Sequence, residues 1–233
     1  MSFGRRQPLL EPVYRAPMRA AENPSAQAAD AVRELEHCAN AATDLVAMLA
    51  SAYTSREQLK PEPAIAAGAA LTGEFALRAA GVPLPENGSV PPGLADDVLF
   101  AGAREGRPTA WMFLMHAAVE AGAASYELPD IEALAARIAQ EGGSAFPPLS
   151  VPEQHMPHEW LPNIAPRFRY RVIAVADVHD LSLRAVTIAL AAATGQLIIR
   201  ARDDLLPLIG LTLAAEIMLG ATRMAPLVEA ATA

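Results

Sequence analysis

Residues 181–224 read LSLRAVTIALAAATGQLIIRARDDLLPLIGLTLAAEIMLGATRM. Asp180 or Ser182 offers an N-cap. Leu183, Val186, Ile188, Leu190, Leu197, Ile198 and Ile199 then carry a helix to about Asp203. A second helix follows over Leu205–Met224, interrupted only by Pro207, Glu216 and Arg223. A pair of helices this apolar has too little polar surface to stand free in water. The spacing therefore predicts an apolar C-terminal helical hairpin (180–224) that serves as core or as a subunit interface. Closed twofold dimers are the commonest soluble assemblies, so the expected partner is a second copy of the chain.

The same stretch supplies the strongest membrane candidate, Leu205–Val228. A spanning helix needs about 20 apolar residues, and a carboxylate near its middle costs about 2.5 kcal/mol or more. Glu216 sits there, so insertion is not expected. Peripheral association through the hairpin and a basic N-terminal arm stands as one reading of function.

Working outward, RFRYRVIAVA (167–176) alternates Arg167, Arg169 and Arg171 with Phe168 and Tyr170, as a strand would. No second strand is evident to pair with it, so a helix is expected, with a short strand near 167–175 as the alternative. Residues 144–166 hold six of the 20 prolines and read as a hinge. Upstream, Ile131, Leu134 and Ile138 face inward on a helix over 129–141 that opens at Pro129 and stops at Gly142-Gly143. Trp111, Met112, Phe113, Leu114, Met115 and Val119 surround a helix over 109–123, which reads as central in the fold or in an interface. A short helix is expected over 94–104. VPLPENGSVPPG (82–93) is a loop whose Asn87-Gly88-Ser89 is a turn. AIAAGAALTGEFALRAA (64–80) is a helix stopped by Gly81, and its Gly68, Ala69, Gly73 and Ala76 would admit another helix at close range. Pro61 and Pro63 break the chain before it. Ser25 caps a helix over 25–55 whose apolar face runs through Ala31, Leu35, Cys38, Ala42, Leu45, Met48 and Leu49.

The fold class these elements imply is an all-α, multi-helix globular domain of about seven to nine helices. Its parts are a flexible basic arm (1–24), an N-terminal helical region (25–143), the Pro-rich hinge (144–166) and the C-terminal hairpin region (167–233). The hairpin region packs with 25–143 as one domain. Composition agrees: 52% hydrophobic but only 5% aromatic residues leaves much of the apolar content to alanine, the best helix former.

Net charge is −8, and it is uneven. Residues 1–159 carry 11 Arg/Lys against 20 Asp/Glu, and residues 160–233 carry 7 against 6. This acidic balance speaks against nucleic acid as a partner, which needs a basic footprint. Lys60 is the sole lysine among 18 basic residues, the bias of a GC-rich, bacterial-type coding sequence. Cys38 is the sole cysteine, so no intramolecular disulfide forms, in keeping with a cytoplasmic setting. Arg5-Arg6 is followed by no apolar stretch, so neither a secretory nor a twin-arginine signal is expected.

Four polar groups carry chemistry. His155 and His158, three apart, and His179 between Asp177 and Asp180 are the ligand types of a zinc or iron site. Their spacing matches no metal motif, and the plain reading is a solvated loop pair with a hydrogen-bonded histidine. His116 and Glu120, four apart on an apolar helix, share a face. If buried, they either satisfy each other or act as an acid/base pair. Glu216, alone in the most apolar segment, either pairs with Arg184 or Arg223 or grips a ligand inside an apolar cavity. The three arginines at 167–171, interleaved with aromatics, suit a phosphate-binding surface or pairing with carboxylates. His37 and Cys38 are neighbours on a helix and do not face each other, so Cys38 is core. Serine-hydrolase, dinucleotide and phosphate-loop motifs are absent.

The function these features suggest is a non-enzymatic helical binding or interaction protein holding a small apolar ligand or a partner helix. Its candidate ligand-binding residues are His116, Glu120, Glu216 and Arg184. No cofactor is expected on that reading. The alternative is a metal-dependent enzyme using a His/carboxylate cluster drawn from His116, Glu120, His155, His158 and His179, with His155, His158 and His179 as the candidate ligands of a zinc or iron ion.

Overall fold

The computed structural model describes residues 24–81, 90–141, 146–159 and 161–224, with side chains from Val32 onward in the first helix. The arm, the Ser25 cap, Ala31, the Asn87 turn and the Gly142-Gly143 stop lie outside the described residues or side chains. The described residues form eight α-helices: α1 (Pro24–Tyr53), α2 (Pro61–Ala79), α3 (Asp96–Leu99), α4 (Ala110–Glu120), α5 (Ile131–Glu141), α6 (Ile164–Val178), α7 (Leu183–Arg200) and α8 (Pro207–Ala221). The chain is all-α, as its composition implies. The sole sheet among them is a two-stranded ribbon, β1 (Thr54–Ser55) against β2 (Gln58–Leu59).

α2 is the axis of the fold. Its residues Ala64 to Leu77 are buried without a break, and it packs against both α7 and α8. α7 is also covered by α4 and α1. Small residues make this density attainable. A methyl group on Gly68 would strike the Thr194 hydroxyl of α7, and one on Gly73 would strike the Met218 carbonyl of α8. One on Gly195 would lie 2.8 Å from the Ala117 Cβ of α4. The close approach expected of Gly68 and Gly73 is thus made, to two different helices.

α7 and α8 are less a hairpin packed on itself than two helices laid separately on α2, since their mutual contact is slight. The turn between them puts Leu205 into the core, while Leu206 stays exposed. α7 is long and apolar enough to cross a membrane, and 67% of it is buried inside the chain. Much of the apolar surface of this helix is thus buried within the chain itself.

Several boundaries differ from the expectations. Pro61 and Pro63 do not break the chain before α2. They occupy its first turn, where a missing N–H loses no helical bond. The helix expected over 94–104 divides at Phe100 into α3 and a 3₁₀ turn, Ala101–Glu105, which ends at Gly106 with φ 72°. Residues 167–176 are helical, within α6, where Phe168 and Val172 face the core. Ser182, not Asp180, caps α7: its Oγ accepts from the Ala185 N–H at 3.2 Å, while Asp180 sits at φ 51°. Asp130 Oδ1 accepts from the N–H groups of Glu132 and Ala133 at 2.9 and 3.2 Å and opens α5.

The ribbon after α1 has no counterpart in the sequence reading. Arg56 and Glu57 turn it with φ 51° and 67°, pairing Thr54 with Leu59 and Ser55 with Gln58. Such a turn favours Asn-Gly, because side chains in the left-handed region crowd their own carbonyls. Residues 146–159 do not hang free as a hinge would. Phe146 lies against Gly220, Val151 is buried, and Ser150 is bonded to Glu216. One hydrophobic core contains residues of α1, α2 and α4 together with α6, α7 and α8.

Candidate functional site

Two of the recesses among the described residues bring chemistry-bearing side chains together. The first is a cavity of about 460 Å³ between the 92–104 segment, α5 and the C-terminal end of α8. Its walls are largely apolar: Phe100, Ala135, Ala136, Ile138, Ala139 and Leu219. Arg223 stands at its edge, 9% exposed. The Arg223 Nη1 donates to the Val90 carbonyl at 2.7 Å. Its carbonyl accepts from the Val90 N–H at 2.9 Å. Its Nε is buried with no hydrogen-bond partner among the described residues. Asp96 also lines the cavity, and burial pushes its carboxyl above the usual carboxylate range. Arg104 from one wall and Glu132 from the other, both exposed, form an ion pair that joins the two walls at the surface.

The second recess is a groove of about 820 Å³ between the β1–β2 ribbon with the start of α2 and the 154–159 loop. It brings Arg56, Lys60, Glu62, His158 and Glu159 together with Tyr53, Leu59 and Met156. Glu62 is held by His155 Nδ1 at 2.9 Å. Glu159 accepts from the Tyr53 hydroxyl at 2.8 Å and from Arg167 at 3.2 Å. Burial, then the bond to Glu159, drives the Tyr53 hydroxyl well above its ordinary value. The Arg167 guanidinium stacks over both Tyr53 and Phe168, 5.6 and 4.9 Å from the ring centres.

The residues singled out in the sequence are scattered across this framework. His116 and Glu120 are not buried; they point outward from α4, 82% and 58% exposed and 3.9 Å apart. α4 is therefore one-sided, with Trp111, Leu114, Ala117 and Ala118 inside and Met112 and Val119 on the outer face. Arg184 bonds Asp97 at 2.8 Å and the Pro108 carbonyl at 3.1 Å, away from both recesses. His158 lines the groove and His155 bonds Glu62, which lines it, but His179 belongs to another region. Its Nε2 meets Asp44 at 2.8 Å, and its carbonyl meets His37 Nδ1 at 3.1 Å. Among the described residues no three His, Cys, Asp or Glu side chains gather as a metal site would require. The arginines of α6 part company: Arg167 lies over Tyr53, Arg169 turns into the core, and Arg171 faces solvent.

Glu216 is 1% exposed and pairs with neither Arg184 nor Arg223. Its partner is Arg137 of α5 at 2.5 Å, with the Ser150 N–H at 2.7 Å and the Ser150 hydroxyl completing its shell. Helix position explains the difference: Arg223, seven residues on, reaches Val90 instead, and Arg184 is taken by Asp97. Three donors from the chain itself thus hold this buried carboxylate, which lines neither recess. A second buried carboxylate went unnoticed in the sequence. Glu74 of α2 accepts from Arg169 Nε and Nη2 at 2.5 and 3.0 Å and from Arg78 at 2.8 Å. The one available signal was a glutamate in an otherwise apolar, Ala-rich helix, beside an Arg-rich segment in need of counter-charges.

Comparison of the chain with protein-family models, curated proteins and solved structures gives no match. The fold defines its class as all-α, and its function has to be argued from the two recesses.

Proposed function

We propose that this is a cytoplasmic helical binding protein that holds a small, mainly apolar molecule in the cavity between α5, α8 and the 92–104 segment. The observation that carries the reading is the largely apolar cavity of about 460 Å³ with the Arg223 guanidinium, nine-tenths buried, at its edge. The cavity's volume falls in the ordinary range of ligand pockets, and a mostly apolar lining with few polar groups is their usual make-up. Arg104 and Glu132 give it a closure that opens without disturbing the core, because an exposed ion pair is worth about 1 kcal/mol or less.

The test uses the apolar sulfonate dye ANS and the full chain. Saturable binding of about one dye per chain is expected, with retained organic mass in a native mass spectrum of freshly purified protein. Ala139→Trp fills the cavity from its half-buried α5 wall and should abolish dye binding while leaving the far-UV circular dichroism unchanged. Equal dye binding by the folded variant and the wild type would overturn the assignment.

A further inference from the structure

The groove at the β1–β2 ribbon has a charge arrangement that the apolar cavity does not share. Both carboxylates that line it are already engaged, Glu62 by His155 and Glu159 by Tyr53 and Arg167. The basic side chains on its rim are not. Arg56, Lys60 and His158 are exposed, and none has a hydrogen bond or ion pair among the described residues. In a chain of net charge −8, two cationic side chains without counter-charges and an imidazole border one recess whose carboxylates are already taken.

We propose that this groove binds a small phosphate-bearing molecule, with Arg56, Lys60 and His158 closing on its anionic end. The chemistry favours phosphate over a single carboxylate because two cations, with an imidazole that can donate beside them, match a group carrying two or more charges. Arginine offers phosphate a fork of donors, and lysine meets it as a compact point charge. A nucleic-acid strand is disfavoured, because the cations are confined to one recess and the surrounding protein is acidic. The walls add non-polar contact from Leu59, Met156 and Pro157 for the rest of the molecule. Arg56 is held at the rim by a turn in which it and Glu57 both take positive φ, so its position is set by the backbone.

Lys60 is the chain's sole lysine, which gives the test a single reporter. Inorganic pyrophosphate is the probe, with citrate at equal charge as the comparison. Pyrophosphate should protect Lys60 from acetylation, read by peptide mass spectrometry of the full chain, and isothermal titration at low salt should give about one site. Lys60→Gln should weaken pyrophosphate binding at least tenfold. Arg56→Asn, which suits a left-handed turn, should weaken it similarly while raising the melting temperature. Arg202→Gln, exposed on the turn after α7, should leave it unchanged. The proposal fails if pyrophosphate leaves Lys60 acetylation unaltered, if Lys60→Gln and Arg202→Gln bind alike, or if citrate binds as tightly as pyrophosphate. Ala139→Trp, made for the apolar cavity, should bind pyrophosphate as the wild type does, so the two sites stand or fall separately.

Discussion

Glu216 and Cys38 show what burial does to single residues here. A carboxylate at 1% exposure survives in the most apolar helix because Arg137 and both donors of Ser150 surround it. The sequence announced the problem, a charge in an apolar run, but not its solution. The partners lie 79 and 66 residues away on elements whose approach no local pattern encodes. Cys38 was legible from its place on the α1 stripe, and it is buried with its Sγ directed at the Ala185 carbonyl, 3.5 Å away. Burial, then the nearby Glu34, pushes the thiol from 9.0 up to about 11. The folded chain therefore keeps this proton over a range where the unfolded chain has released it. Stability is unaffected below pH 9 and falls as pH climbs from 9 towards 11, by at most about 1.4 kcal/mol per pH unit. Urea unfolding at pH 8 and pH 10 should show a smaller loss for Cys38→Ala than for the wild type. Equal losses would place the thiol in contact with water. The Sγ should also react slowly with disulfide reagents until the chain is unfolded.

At the scale of elements, periodicity located six of the helices to within a few residues, because each carries an apolar stripe or punctuating proline or glycine, whereas α6 alternates as a strand would and is expected to be helical only for want of a second strand. It failed at the β1–β2 ribbon. There the turn residues are Arg56 and Glu57, and nothing in their chemistry announces positive φ. It failed also at Pro61 and Pro63, which end one element or begin another with equal ease when read alone. α2 shows where composition does settle a contact. Its glycines stand where two other helices touch it, and Gly73 meets the backbone of α8, which cannot rotate aside. Gly73→Ala gains about 1 kcal/mol of helix propensity and should nevertheless destabilise the fold. Overpacking against a fixed carbonyl costs about 1–3 kcal/mol, and here the upper part of that range applies. A fall of several degrees in melting temperature is expected. A rise would mean that α8 can shift away from α2.

Across the whole molecule, the fold class was readable from alanine richness and proline spacing, while the candidate sites were not. Of the seven polar residues marked in the sequence, only His158 lines either recess, and Arg223, at the edge of the cavity, stood in the sequence merely as a counter-ion for Glu216. Both recesses are assembled from segments far apart in the chain, so no window of sequence contains either. The proline-rich stretch misled for a related reason: prolines mark irregular backbone, and irregular backbone here is pinned to α8 through Phe146 and Ser150. Because one core spans both sides of that stretch, thermal unfolding should be a single transition. Circular dichroism and tryptophan fluorescence, reported in part by the buried Trp111, should coincide. Two separated transitions would divide the chain at residues 144–166.

The unbroken burial of α2 also bears on how the chain is made. α2 ends at Ala79, and α8, which covers one of its sides, is complete only at Ala221, about 140 residues later. At ~5–20 residues per second, a ribosome takes roughly 7–28 s to cross that interval. For most of it, a helix that the finished fold buries from Ala64 to Leu77 has neither a complete α7 nor α8 to lie against. This protein therefore depends on its last helices for solubility during synthesis as much as for stability afterwards, and a chain halted before α8 presents the surface that chaperones recognise.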